Sequence, residues 1–195
     1  MDQKEKRLIK KVKKGDHQAF AELVDRYKNS VYTICLRMVG SREEAEDLSQ
    51  EAFIRAYNHI SQFDSDRNFS TWIFRIATNL SIDSLRRKKP SVSLDAEIPG
   101  TEGLALNTIL PGGETPPDEQ IVRDETEKWI QHEIGELPEK YRSAVILKYI
   151  EDLSLKEISE IMNIPVGTVK TRVHRGRELL RKNMKASRGE EDDML

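Results

Sequence analysis

The sequence predicts an all-α protein made of two small helical domains joined by a flexible acidic linker. Three observations carry this expectation. Apolar residues recur at helical spacing through most of the chain, no stretch alternates as a strand does, and the periodicity fails between residues 91 and 120, where proline and glycine crowd together. Charged residues make up 34% of the 195 and hydrophobic ones 37%, a balance that suits charge-rich helices around modest cores rather than one large core.

The first domain is read over residues 1–90. Asp16, after Gly15, opens a long helix in which Ala19, Phe20, Leu23, Val24, Tyr27, Val31, Ile34, Cys35 and Met38 form one apolar stripe that ends at Gly40. Ser41 with Glu44 three residues on has the pattern of a capping box, and Ala45, Leu48, Ala52, Phe53, Ala56 and Tyr57 continue a second amphipathic helix. After the polar connection SQFDSDRN, Ser70 is the expected N-cap of a third helix, with Trp72, Ile73, Ile76 and Leu80 on one face. It runs into the basic cluster Arg86, Arg87, Lys88 and Lys89 and stops at Pro90.

Residues 91–120 are the expected linker, because about 30 residues without periodicity are too many for an ordinary connection inside a compact domain. The second domain spans 121–187. A helix over 121–135 precedes Leu137-Pro138, and shorter helices follow over 139–150, 154–162 and 165–183. Residues 188–195 form a charged tail.

Composition removes several classes of function. Cys35 is the only cysteine, so an intrachain disulfide is excluded and a thiolate zinc site is disfavoured. His17, His59, His132 and His174 are scattered, and no Gly-rich phosphate loop occurs. Glu43, Glu44, Glu46, Asp47 and Glu51 crowd one helix but lack the histidine or second acidic cluster of a metal-dependent nuclease. The expectation is a non-enzyme with no metal, cofactor or small-molecule substrate. No apolar run reaches the roughly 18–20 residues of a membrane span, and the charged start does not suit a secretory signal, so a cytoplasmic location is expected.

The segment over 152–182 has the pattern of a helix-turn-helix. Ser154 and Glu157 form a capping box, Leu155, Ile158, Ile161 and Met162 point inward, and Pro165 sits where a second helix starts. In that helix Val169, Val173, Gly176 and Leu180 follow a core spacing, while Lys170, Thr171, His174, Arg175 and Arg177 lie on or near the opposite face. Between residues 170 and 188 eight Lys and Arg face Glu178 alone, so the formal net charge of -2 hides a basic pole. A basic run is often only a solvated face. Combined with the capping box and the proline-marked turn, it points to major-groove insertion. Arg172 has two readings, a pair with Glu157 or a phosphate contact.

Phe63, Phe69, Trp72 and Phe74 cluster around the third helix and the loop before it, with Thr71, Arg75, Asn79 and Arg86 on one polar stripe. Aromatics beside cationic and amide groups can hold unstacked bases. Trp72 and Phe69 also read as core residues, the reading favoured for Trp72 with Ile73 and Ile76 beside it, which leaves Arg75, Asn79 and the loop 64–68 as the stronger candidates for direct contact.

The stretches KKGDHQAFAELVDRY, AEDLSQEAFIRAY and FSTWIFRIATNLSIDSLRRKKP resemble region two of the bacterial extracytoplasmic-function (ECF) sigma factors. LPEKYRSAVILKYIEDLSLKEISEIMNIPVGTVKTRVHRGRELL resembles their region four, and LDAEIPGTEGL is similar to the linker of the sigma-W type within that family. The resemblance implies a subunit that binds core RNA polymerase, directs it to promoter DNA, promotes opening and is held by a membrane-anchored anti-sigma factor, with envelope-stress genes as targets. It implies a polymerase contact through Asp47, Gln50, Glu51, Phe53 and Ile54. It assigns the minus-ten element to Phe63, Asp64, Ser65, Asn68, Phe69, Arg75, Asn79 and Arg86. The minus-thirty-five element falls to Pro165, Val166, Thr168, Lys170, Thr171 and His174, with Lys148, Arg172 and Arg175 on phosphates. The linker would thread into the polymerase channel. A different class remains open: a self-sufficient helix-turn-helix repressor or activator whose front domain senses or dimerises.

Overall fold

The computed structural model describes residues 3–88 and 117–192, and its regular elements there are helical. The expected linker up to residue 116, Lys89 and the end of the tail lie outside the described residues.

Helix α1, Gln3–Val12, was not expected, because QKEKRLIKKV reads as a charge run. Leu8, Ile9 and Val12 are nevertheless buried, and Glu5, only 4% exposed, accepts a hydrogen bond from the Tyr27 hydroxyl. Helix α2, His17–Val39, follows the expected bounds. The Asp16 carboxylate accepts from the Ala19 amide at 3.0 Å, and Gly40 ends the helix at φ 78°, a left-handed conformation that glycine adopts without steric cost.

Helix α3, Arg42–His59, is capped by Ser41, whose hydroxyl accepts from the Glu44 amide at 3.4 Å. The expected box is not completed in the usual way: the Glu44 carboxylate engages the Ser84 hydroxyl and the Lys88 ammonium, the latter at 2.5 Å. A tertiary partner with a full charge outcompetes a local backbone amide. A 3-10 turn, Ile60–Gln62, leads to α4, Phe69–Lys88. This helix starts before the expected cap Ser70, with the Asn68 carbonyl accepting its first backbone bond from Trp72 at 3.3 Å.

The second group comprises α5, Pro117–Gly135; α6, Glu139–Tyr149; α7, Leu155–Met162; and α8, Val166–Asp192. Helix α5 begins inside the span assigned to the linker, and α8 runs into the charged tail. Helix α2 is the centre of the first group, packing on α1, α3 and α4, while α8 packs on α6 and α7.

The two groups are packed together. Helix α7 lies on α4, α5 and α6 reach α2, and one apolar core runs from Leu8 through Phe69 and Ile146 to Val173. The C-terminal carbonyls of α2, left over by helix geometry, are capped from the second group. Gln131 donates to Leu36 O at 3.5 Å and Arg37 O at 3.3 Å, and Arg142 donates to Met38 O at 2.5 Å and to the Gly135 and Leu137 carbonyls. Burial pulls the Arg142 guanidinium below its usual pKa, opposed by Glu139 and Glu136. The carbonyl cage and the negative end of the α2 dipole compensate the partly desolvated cation.

Candidate nucleic-acid interface

The second group holds α8 on a base made of α6 and α7. In α7 the Ser154 hydroxyl accepts from the Glu157 amide at 3.2 Å, while the Glu157 carboxylate accepts from the Ser154 amide at 2.9 Å. Those bonds to Ser154 hold the Glu157 carboxyl below the usual range. Asn163 turns the chain at φ 52°, a conformation asparagine tolerates well, and the Ser159 hydroxyl donates to Ile164 O at 2.5 Å. Pro165 then opens α8.

Val169 is fully buried and Val173 nearly so, so these residues fix the inward face of α8. Pro165, Val166, Thr168, Lys170, Thr171, His174 and Arg175 are all exposed on it. The Thr171 hydroxyl donates to Gly167 O at 3.0 Å, which orients it and leaves its lone pairs able to accept. Arg175 lies beside Tyr141 of α6, and this guanidinium holds the Tyr141 phenol below its ordinary pKa. His174 and Arg175 thus border a cleft of about 770 Å3 between α6 and α8. Gly176 lets the two helices approach: a Cβ there would meet Val145 Cγ2 at 2.6 Å and Tyr141 O at 3.3 Å.

Two residues assigned to phosphate are placed differently from Arg175. The Lys148 ammonium donates to Leu153 O at 3.0 Å and lies 3.8 Å from Asp152, so it closes the turn between α6 and α7. Arg172 is half-buried and faces α4 across a polar cavity of about 750 Å3, with Asn79, Arg86 and Glu139 on its wall. Glu157, weighed as its partner, gives its carboxylate to the cap instead.

In the first group the loop before α4 forms a small pocket of about 280 Å3 lined by Phe63, Asp64, Arg67, Asn68, Trp72 and Arg75, together with Glu160 from α7. Asp64 shapes the loop by accepting from the Asp66 amide at 3.0 Å, and Lys13 fixes its base by donating to Phe63 O at 2.5 Å. Asp64 and Ser65 are exposed, and Asn68 and Arg75 half-buried. Phe63 and Phe69 are 4% and 0% exposed and meet each other edge to face, with Trp72 tilted against Phe63 and edge-on to Phe69. Phe63 therefore backs the pocket and Phe69 lies in the core behind it, and the assignment of these two rings to direct contact with bases does not fit their burial. Trp72 is the ring that reaches the pocket half-exposed. Asn79 and Arg86 are exposed but open onto the larger cavity, and Arg86 Nε lies 3.3 Å from a Glu139 carboxylate oxygen.

The residues assigned to polymerase line one side of α3. Ile54 is 54% exposed, a large apolar side chain in water, and together with Phe53, Phe20, Val24 and Tyr57 it borders a groove of about 520 Å3 between α2 and α3. Phe53 is buried and forms its floor, Asp47 and Gln50 are exposed, and Glu51 is held by Arg55 at 2.7 Å. Sequence reasoning did not single out Tyr141, Arg142 or Glu160. Each acts across a helix-helix seam, which the local pattern around it does not reveal.

The family model of Sigma-70 region 2 matches residues 23–90, and that of Sigma-70, region 4 matches residues 127–180. The chain is 56% identical over 180 residues to the ECF RNA polymerase sigma factor SigW of Bacillus subtilis, covering 92% of this chain and 96% of that one. It is 38% identical over 178 residues to the ECF RNA polymerase sigma-E factor of Escherichia coli strain K12, covering 89% and 90%. Among solved structures, CnrH in complex with the cytosolic domain of CnrY shares the fold with a TM-score of 0.70 at 20% identity, covering 94% of this chain and 98% of that one. The sigma factor RpoE of Bartonella quintana, solved with the anti-sigma factor NepR, shares it at 0.64 and 22%, covering 85% and 96%.

Proposed function

The chain belongs to the ECF sigma factors of the sigma-70 family, and we propose that it is a non-catalytic specificity subunit that joins core RNA polymerase in the cytoplasm, brings it to promoters and promotes opening of the DNA. The observation that supports the reading is that one chain presents a helix with an exposed basic face, a small polar pocket backed by an aromatic ring and a separate apolar groove with an acidic flank. A self-sufficient repressor has use for the first of these only.

In this reading the exposed face of α8 enters the major groove at the minus-thirty-five element, with Pro165, Val166, Thr168, Lys170, Thr171 and His174 near base edges and Arg175 on a phosphate. Lys170 brings a point charge and not a bidentate fork, so its preference among bases is weaker than an arginine's. Lys148 supports this face by fixing the turn before α7. The loop 63–68 takes an unstacked base of the minus-ten element, with Arg75 on the backbone beside it; Asn79 and Arg86 extend the contact along α4. A base held outside the duplex favours the open state without nucleotide hydrolysis.

Asp47, Gln50, Glu51, Phe53 and Ile54 form the polymerase contact, with Ile54 as the apolar anchor and the acids facing a basic partner. The acidic linker lies in the polymerase channel, and a membrane-anchored anti-sigma factor holds the chain until envelope stress releases it. No described helix is long and apolar enough to cross a membrane.

The test is co-elution with core polymerase. The wild-type chain is expected to co-elute, and Ile54→Asp to weaken the complex at least tenfold while leaving the helical content unchanged. Equal affinity of the variant would remove the α2–α3 groove from the contact, and failure of the wild-type chain to bind polymerase would sink the reading.

A further inference from the structure

We propose that Tyr141 of α6 is a positioning residue for the minus-thirty-five phosphate contact, holding the Arg175 guanidinium ready for DNA without cancelling its charge. The proposal rests on the functional reading above, in which Arg175 meets a phosphate, and names the residue that aims it.

A long cationic side chain in water samples many rotamers, and ordering it at an interface weakens binding. The basic residues of α8 near its cleft with α6 are restrained by different means. Glu178 lies 3.8 Å from Arg177 and 3.1 Å from Arg181, so an acid orders these two guanidinia and also offsets their charge. Arg175 stands instead beside the Tyr141 phenol, at the edge of the same cleft. A neutral phenol oxygen takes one guanidinium N–H and leaves the remaining donors, with the whole positive charge, to a phosphate.

The phenol is itself held from two sides. Its backbone is pressed against α8 at Gly176, where a Cβ would lie 3.3 Å from the Tyr141 carbonyl oxygen and 3.4 Å from the Tyr141 Cβ. Gly176 directly follows Arg175, so this close approach anchors the ring one residue away from the cation it meets. From α6 the Lys140 ammonium stands 5.0 Å from the ring centroid, within cation–π range. The ring is half-buried, while Lys140 and Arg175 are exposed. The hydrogen bond from Arg175, and then the charges of Lys140 and Arg175, keep the phenol below its ordinary pKa against the opposing effect of burial. Two cations from two helices are thus gathered at one neutral ring, where a phosphate can meet both.

The test uses holoenzyme made from core polymerase and purified chain, titrated with a promoter fragment recovered by run-off transcription over a range of salt concentrations. Tyr141→Phe keeps the ring and removes the hydroxyl. It is expected to weaken binding about two- to tenfold, evenly over base changes in the minus-thirty-five element, with the salt slope unchanged because no charge is lost. In an Arg175→Ala background the same change should cost nothing further. Tyr141→Glu puts an acid beside the guanidinium and should flatten the salt slope by about one unit, as Arg175→Ala does. Parental affinity in Tyr141→Phe, a loss that persists in full without Arg175, or an unchanged slope in Tyr141→Glu would overturn the proposal and leave Tyr141 a packing residue. Parental affinity and slope in Arg175→Ala would overturn the phosphate role in the functional reading and the positioning together.

Discussion

Gly176→Ala is the substitution whose consequence the geometry states most sharply. The added Cβ would lie 2.6 Å from Val145 Cγ2 and 3.3 Å from the Tyr141 carbonyl oxygen, and neither neighbour gives easily. Val145 is 3% exposed, and a β-branched side chain in a helix has one strongly preferred rotamer. Overpacking costs about 1–3 kcal/mol, and a contact as short as 2.6 Å falls in the upper part of that range, about 2–3 kcal/mol, offset by about 1 kcal/mol of helix propensity gained when alanine replaces glycine. The net expectation is a loss of about 1–2 kcal/mol, against a gain of about 1 kcal/mol if the position were simply helical. In urea unfolding followed by circular dichroism, a slope of about 2 kcal/mol/M converts this to a midpoint about 0.5–1 M lower. Val145→Ala removes the opposing methyl, so the double variant should recover about 1 kcal/mol relative to additivity. A Gly176→Ala variant at least as stable as the parent, or strictly additive single changes, would refute the claim that glycine is required by the close approach of α6 and α8.

Three further expectations concern the cap and the DNA contacts. Ser154→Ala should cost about 1 kcal/mol by removing the α7 cap. Because Glu157 titrates below its ordinary value of 4.5 in the folded chain, its contribution is present above that value and is lost as pH falls through the lowered one; urea midpoints at neutral and acidic pH should therefore converge for parent and variant. Arg175→Ala should weaken promoter binding by the holoenzyme evenly across sequences and flatten its salt dependence by about one unit of slope, and a changed base preference at constant slope would contradict its phosphate role. Asn79→Ala should leave closed-complex affinity intact and reduce permanganate-reactive thymines, whereas normal reactivity would make Asn79 structural.

The elements legible in the sequence are those whose signals are local. Asp16 and Gly40 mark both ends of α2, and Ser154 with Glu157 marks the start of α7, because these caps act within a few residues of themselves. Where a distant partner takes part, the local pattern misleads. Glu44 has the spacing of a capping box but is drawn to Ser84 and Lys88, and α1 reads as a charge run although Leu8, Ile9 and Val12 find a core in α2. The exposed set on α8 was legible from helical spacing, since Val169 and Val173 fix its inner face.

Burial of Phe63 and Phe69 was not legible, because aromatic residues near a polar loop have the same pattern whether they stack on bases or pack edge to face in a core. Nor was the seam: Arg142, Gln131 and Glu160 meet partners that are distant in sequence, and no periodicity encodes that pairing. Two domains with a connection between them was the expectation, and a single apolar core crossing both groups is what the packing adds.

In this reading the chain gives promoter specificity to a polymerase and does not act alone. Run-off transcription across genomic fragments, with core polymerase and purified chain supplied separately and together, tests it most directly. Discrete transcripts are expected only when both are present, from fragments that share a pair of spaced elements. Tight, sequence-specific binding of promoter fragments by the chain alone, with no transcript gained on adding polymerase, would contradict it.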